Sequence, residues 1–149
     1  MRVVLQRVSS ASVSIDGIAV GSIGRGLAIL VGIRHGDTEA DADSLARKVP
    51  GLRVFEDENG KMNISAHETG AEFLVVSQFT LYANTSKGRR PSFVEAADPT
   101  VGEHLYERFV STLRETEPVV ETGRFGAHMR VSLVNDGPVT LIIDSDAKA

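Results

Sequence analysis

Three short stretches carry side chains and backbone breaks that could do chemistry. In "SQFTLYANTSKGRRPSF", Ser77, Gln78 and Thr80 bring two hydroxyls and a carboxamide to the end of an apolar run that reads as a strand. Backbone N–H groups come free where a strand ends, and free N–H groups can stabilise an oxyanion. Thr80 also invites reading as a hydroxyl nucleophile, although no histidine, lysine or carboxylate base stands nearby in sequence. The plain alternative is a strand alternating in and out, with Phe79 and Leu81 inward. In "SLVNDGPVTLIID" (Ser132 to Asp144), Gly137 and Pro138 interrupt an apolar strand. Proline cannot donate a ladder hydrogen bond, so it does not belong inside a central strand. A Gly-Pro bond can be cis, which would align neighbouring carbonyls, or it can be an ordinary turn. Lys87, Arg89 and Arg90, in "SKGRRPSF", form a local basic patch that suits phosphate or is simply a solvated loop.

Most other catalytic signatures are missing. There are no cysteines, so disulfides, thiolate nucleophiles and cysteine zinc sites are excluded. His35, His67, His104 and His128 show no metal-ligand spacing and read as surface or packing residues. There is no GxSxG elbow, no GxxxxGK[ST] loop, and no GxGxxG opening a helix. The net charge of -4 argues against a whole surface coated with nucleic acid, leaving only local contact.

The elements that must position these groups are legible. "RVVLQRVSSASVSIDGIAVGSIG" reads as a hairpin turned at Asp16-Gly17. "GLAILVGI" reads as a strand buried on both faces. "DTEADADSLARKVP" reads as a helix capped at Asp37 or Thr38, with Ala42, Leu45, Ala46 and Val49 inward. "LRVFEDENGKMNI" reads as strand, turn and strand. Glu72 to about Ala83 reads as one long strand. A second helix starts at Asp98-Pro99 and buries Leu105, Phe109 and Leu113. "HMRVSLVNDGPVTLIID" reads as two strands around the Gly-Pro break. The expectation is an α+β (mixed α/β) fold: one domain, residues 1–149, with a largely antiparallel, barrel-like sheet of about seven to eight strands and two packed helices. No apolar run approaches a membrane span, and the start of the chain does not read as a signal peptide, so the expected location is cytoplasmic.

In these stretches the sequence resembles the D-aminoacyl-tRNA deacylases. The resemblance rests on "SQFTLYA", "KGRRPSF" and "GAHMRVSLVNDGPVT" in that order. It extends through "QRV", "GLAILVGI", "LRVFEDENGKMNIS" and "GRFGAHM", with no departure in either motif. It implies a homodimeric hydrolase, without cofactor or metal, that cleaves the ester of tRNA carrying a D-amino acid or glycine on its 3′-terminal adenosine. This would be a chiral proofreading step in translation quality control. It implies that Ser77, Gln78, Phe79 and Thr80 form the catalytic segment, with backbone N–H donors and help from the terminal ribose 2′-hydroxyl. It also implies that Gly137 and Pro138, joined by a cis bond, reach into the active site of the partner subunit. Fixed carbonyls there would hold the substrate ammonium, and an L side chain would strike the Gly-Pro backbone. A Cβ on Gly137 would crowd the ligand. Met129 becomes a pocket wall or ordinary core, and Lys87, Arg89 and Arg90 become candidate tRNA contacts. Two rivals stand beside this reading: a non-catalytic tRNA-binding module, and a small-molecule-binding oligomer in which the two motifs merely pack.

Overall fold

The computed structural model describes residues 1–146. Its first element is the hairpin the sequence announces. β1 (Arg2–Ile15) turns through Asp16 and Gly17, both at positive φ, into β2 (Ile18–Ile23). β3 (Gly26–Gly32) returns antiparallel along the first half of β1 and is almost wholly buried. α1 (Glu39–Lys48) starts at Thr38, whose side chain and that of Asp41 form a reciprocal capping box. A 3-10 turn over Val49–Gly51 stops it at Pro50. β4 (Phe55–Glu56) and β5 (Met62–Ile64) make a small hairpin. The expected strand at Leu52 forms only from Phe55.

β6 (Glu72–Ser77) lies parallel to β3. α2 (Pro99–Arg114) follows, then β7 (Val120–Thr122), parallel to β6 and not anticipated from sequence. Pro99 opens α2 as expected, but the Asp98 side chain makes no cap hydrogen bond. β8 (Arg130–Asp144) pairs antiparallel with β1 over nearly its whole length.

The main sheet runs β2-β1-β3-β6-β7, with β8 on β1. It curls until its edges nearly meet. A Cβ added to Gly21 of β2 would stand 2.8 Å from the Thr122 carbonyl of β7. The fold is therefore the mixed α+β, barrel-like arrangement expected, with eight strands and two α-helices among the described residues.

Both faces of β3 and β6 are covered. On one side Leu5, Leu27, Ile29, Phe73 and Val75 pack against Leu45, Leu105, Phe109 and Leu113 of the helices. On the other, Val8, Val13, Ala28, Leu74 and Val76 form a smaller core, with Met129 and Leu133 packed on it. The helices are tied together by Asp43, which accepts from the Arg108 guanidinium at 2.7 and 2.8 Å and from the Thr112 hydroxyl at 2.7 Å. Those bonds hold the Asp43 carboxyl well below its ordinary range. Tyr106 fastens α2 to the sheet by donating to the Val75 carbonyl at 2.8 Å. Burial pushes its phenol up to about 12.

Candidate active site

The strand expected from Glu72 to Ala83 ends at Ser77 instead. The Gln78 N–H makes a last ladder bond to the Val31 carbonyl at 2.8 Å, and the chain then tightens into a 3-10 turn, Phe79–Tyr82. The reason lies on the neighbouring strand. A Cβ on Gly32 would sit 2.9 Å from Leu81 Cβ and 3.2 Å from the Gln78 carbonyl, so the turn packs where only glycine leaves room. Phe79 and Thr80 open that turn, and the first N–H groups of a helical turn have no internal acceptor. Among the described residues nothing accepts from either of them. The Gln78 carboxamide donates to the Thr80 hydroxyl, fixing both side chains. The Phe79 ring is 58% exposed and meets Phe93 edge-on, with centroids 5.1 Å apart.

The strand end borders a cleft of about 520 Å³, and Thr80 is not among the residues that line it. Ser77, Gln78 and Phe79 line one side of it, and Phe125, His128 and Met129 line the other. Two glycines position that second wall. Met129 lies over Gly123, with its sulfur 2.4 Å from where a Cβ would be built. The Phe125 ring rests 3.4 Å from the corresponding point on Gly102 and 6.0 Å, centroid to centroid, from Tyr106. Met129 thus serves both readings, wall and core. Among the described residues His128 is the one titratable side chain in the lining. His67 and His104 pair instead with Glu117 and Glu39, and His35 lines a separate hollow beside Arg34. No group of ligating side chains that could hold a metal occurs among the described residues.

Gly137 and Pro138 lie elsewhere. The two strands expected around them are one strand with a bulge. Gln6 faces Thr140 and Val8 faces Asn135, so four residues, 136–139, stand opposite Arg7 alone. The bulge is pinned from three sides. Arg7 Nε donates to the Asp136 carbonyl at 2.8 Å, the Val139 N–H donates to Asn135 Oδ1 at 2.8 Å, and the Val139 side chain is buried. Arg7 is itself buried, and its Nη1 donates to the Val54 carbonyl at 2.7 Å. The Gly137-Pro138 bond is cis, and both residues are exposed. Gly137 sits at φ +148°, where a Cβ would stand 2.8 Å from the Val139 nitrogen and 3.3 Å from Arg7. Its own chain therefore demands glycine here, a reason additional to ligand approach. Within one chain, neither residue is among those lining the cleft.

Lys87, Arg89 and Arg90 occupy a hairpin closed by an Asn84–Ser92 bridge and joined to Phe79 through Phe93. All three are exposed.

Sequence reasoning missed Arg7, Phe125, Gly32 and Gly123. Arg7 sits inside a segment that reads only as a strand, and nothing in the sequence sets Phe125 apart. The glycines carry no turn signal, because their role is close approach rather than positive φ.

A family model described as D-Tyr-tRNA(Tyr) deacylase matches residues 4–144. The D-aminoacyl-tRNA deacylase of Thermomicrobium roseum is 61% identical over 145 residues, spanning 97% of this chain and 94% of its own. That of Geobacter sulfurreducens is 55% identical over 149 residues, spanning 100% and 98%. Among solved structures, one described as c-Myc DNA Unwinding Element Binding Protein superposes with a TM-score of 0.93 at 42% identity, covering 99% of this chain and 100% of that one. A probable eukaryotic D-amino acid tRNA deacylase shares the fold, with a TM-score of 0.84 at 20% identity over 96% of this chain and 98% of that one.

Proposed function

The chain belongs to the D-Tyr-tRNA(Tyr) deacylase family, and on that premise we propose how its own residues act. Its activity is hydrolysis of the ester joining a D-amino acid to tRNA. The terminal adenosine enters the cleft, its base held between the apolar surfaces of Phe125 and Met129. The ester carbonyl faces the N–H groups of Phe79 and Thr80. These donors meet the negative charge that builds on the carbonyl oxygen, and one such donor is typically worth roughly 100-fold to 1,000-fold in rate. Gln78 holds the Thr80 hydroxyl and keeps the turn in register. The substrate's own 2′-hydroxyl assists the attacking water, so no side-chain base is needed. Thr80 acts through its backbone: the hydroxyl's partner is an amide donor, not a base.

Chiral selection is supplied by a second copy of the chain. The bulge at Gly137 and Pro138 is exposed, rigidly pinned and outside its own cleft, which suits a gate that enters the cleft of a partner in a homodimer. Its carbonyls accept from the substrate ammonium. A D side chain then points to solvent, glycine needs no space, and an L side chain meets backbone. Glycyl-tRNA is accordingly a second substrate. Lys87, Arg89 and Arg90 lie beside the cleft and contact tRNA phosphates.

The observation that carries this reading is the pair of N–H groups, of Phe79 and Thr80, left without an acceptor at the edge of an apolar cleft that has no carboxylate in its lining among the described residues. A Thr80→Ala variant keeps the N–H and loses the hydroxyl. Retained turnover supports the backbone role, and abolished turnover with intact substrate binding makes Thr80 a nucleophile instead.

A further inference from the structure

Residues 73–94 and 122–135, which contribute much of the cleft's lining, hold five of the sixteen Lys and Arg and none of the twenty Asp and Glu, whereas the remaining stretch around Ala96, Ala97, Pro99 and Gly102 carries Glu95, Asp98 and Glu103 beside it. Three of the five are on the Lys87–Arg90 hairpin, joined to Phe79 through Phe93. The other two, Arg124 and Arg130, belong to the opposite rim, and the fold separates them. Val131 lines the cleft, so strand alternation turns its neighbour Arg130 to the other face of β8. Arg124 directly precedes Phe125, and the two share a second hollow of about 590 Å³ that adjoins the cleft across the Phe125 ring.

Arg114 and Ser111 line this hollow too. The Arg114 guanidinium is anchored by a bond to the Val120 carbonyl at 2.9 Å, whereas Arg124 is exposed and makes no ion pair among the described residues. Glu103 and Glu107 line the helix side of the hollow, so its arginines and carboxylates balance. A bound anion must then be held by direct contact, not by net field.

A nucleic-acid strand whose last base sits against Phe125 must leave the cleft over one of its rims. We propose that it leaves over Phe125, and that Arg124 seats the phosphodiester linking the last two nucleotides of the tRNA. This rests on the assignment of the cleft to the terminal adenosine and adds the direction of the strand. Arg124 is a positioning residue: its guanidinium donates to a phosphate oxygen and fixes the ester against the Phe79 and Thr80 N–H groups.

The test compares two minimal D-tyrosyl esters, one of adenosine and one of the dinucleotide CpA, which differ by one nucleotide and its phosphate. The protein should prefer the CpA ester by about tenfold in kcat/KM, the worth of one charge-assisted contact. Arg124→Gln should erase that preference and leave the adenosine ester rate unchanged. Arg130→Gln should keep the preference. On full D-tyrosyl-tRNA, Arg124→Gln should reduce the salt slope of log KM by roughly 0.7, the value for one phosphate on a single strand. A preference that survives Arg124→Gln, or that Arg130→Gln erases equally, overturns the proposal. An unchanged salt slope on full tRNA does so as well. A protein that hydrolyses D-tyrosyl-tRNA normally but shows no preference for CpA loses only this inference. Failure to hydrolyse D-tyrosyl-tRNA at all removes the functional reading beneath it.

Discussion

Replacing Arg7 by methionine separates the stability of the fold from the geometry of the gate. Methionine keeps most of the apolar stem and removes the guanidinium. Two hydrogen bonds disappear, to the Val54 carbonyl at 2.7 Å and to the Asp136 carbonyl at 2.8 Å. They differ in consequence. The Val54 bond is buried, so its carbonyl is left unsatisfied at about 1–3 kcal/mol. Asp136 is exposed, and water can replace the lost donor, so that bond costs about 1 kcal/mol. The Glu56 carboxylate lies 3.7 Å away and half exposed, which adds little. The total expected loss is about 2–4 kcal/mol, read by urea unfolding. Activity should fall further than this loss explains, because the Asp136 bond is what aims residues 136–139. Deacylation of D-aminoacyl-tRNA should drop at least tenfold at a temperature where the variant is fully folded. Arg7→Lys, a single point charge that cannot fork between two carbonyls, should recover part of the stability but little of the activity. A methionine variant with normal stability and normal turnover would refute the reasoning, since Arg7 would then hold neither the fold nor the bulge.

Four further outcomes are expected. Gly137→Ala places a Cβ 2.8 Å from the Val139 nitrogen at a φ of +148°. It should cost about 1–3 kcal/mol in unfolding experiments and reduce D-ester hydrolysis far more, and equal losses would make the bulge purely structural. Gly123→Ala pushes the flexible Met129 side chain toward the cleft, so KM should rise several-fold with Tm nearly unchanged; a normal KM removes Met129 from the wall. His128→Asn should retain most turnover, because the reaction needs no side-chain base, and a collapse of kcat would install His128 as one. Asp43 has its folded pKa depressed by Arg108 and Thr112 below the ordinary 3.8. Its contribution to stability is therefore complete above that value and is lost as pH falls below it. Asp43→Asn should flatten the acid limb of a Tm-against-pH profile, and an unchanged limb would show the helix tie to be neutral.

What the sequence disclosed followed the range over which each signal acts. The Asp16-Gly17 turn, the Thr38 cap, the apolar stripe of α2 and the buried β3 are local patterns, and each formed as expected. The end of β6 was misplaced because the residue that bends the chain after Ser77 is Gly32, some 45 positions earlier and on another strand. The break at Gly137 was visible, but its form was not. A bulge needs a partner strand that keeps its register on both sides, and that partner is β1, at the other end of the chain. Arg7 gave no signal because its bonds to Val54 and Asp136 exist only once three distant segments meet. Ser77, Gln78, Phe79 and Met129 line one cleft, while Thr80, Gly137 and Pro138 are not among its lining residues in a single chain.

The most direct measurement is the hydrolysis of matched D- and L-aminoacyl-tRNA, charged with the same amino acid on the same tRNA, in the presence of a chelator. Rapid loss of the D-ester and persistence of the L-ester are expected, at rates the chelator does not alter. Equal loss of both esters would leave a cleft that hydrolyses without a gate, and would contradict the role given to Gly137 and Pro138.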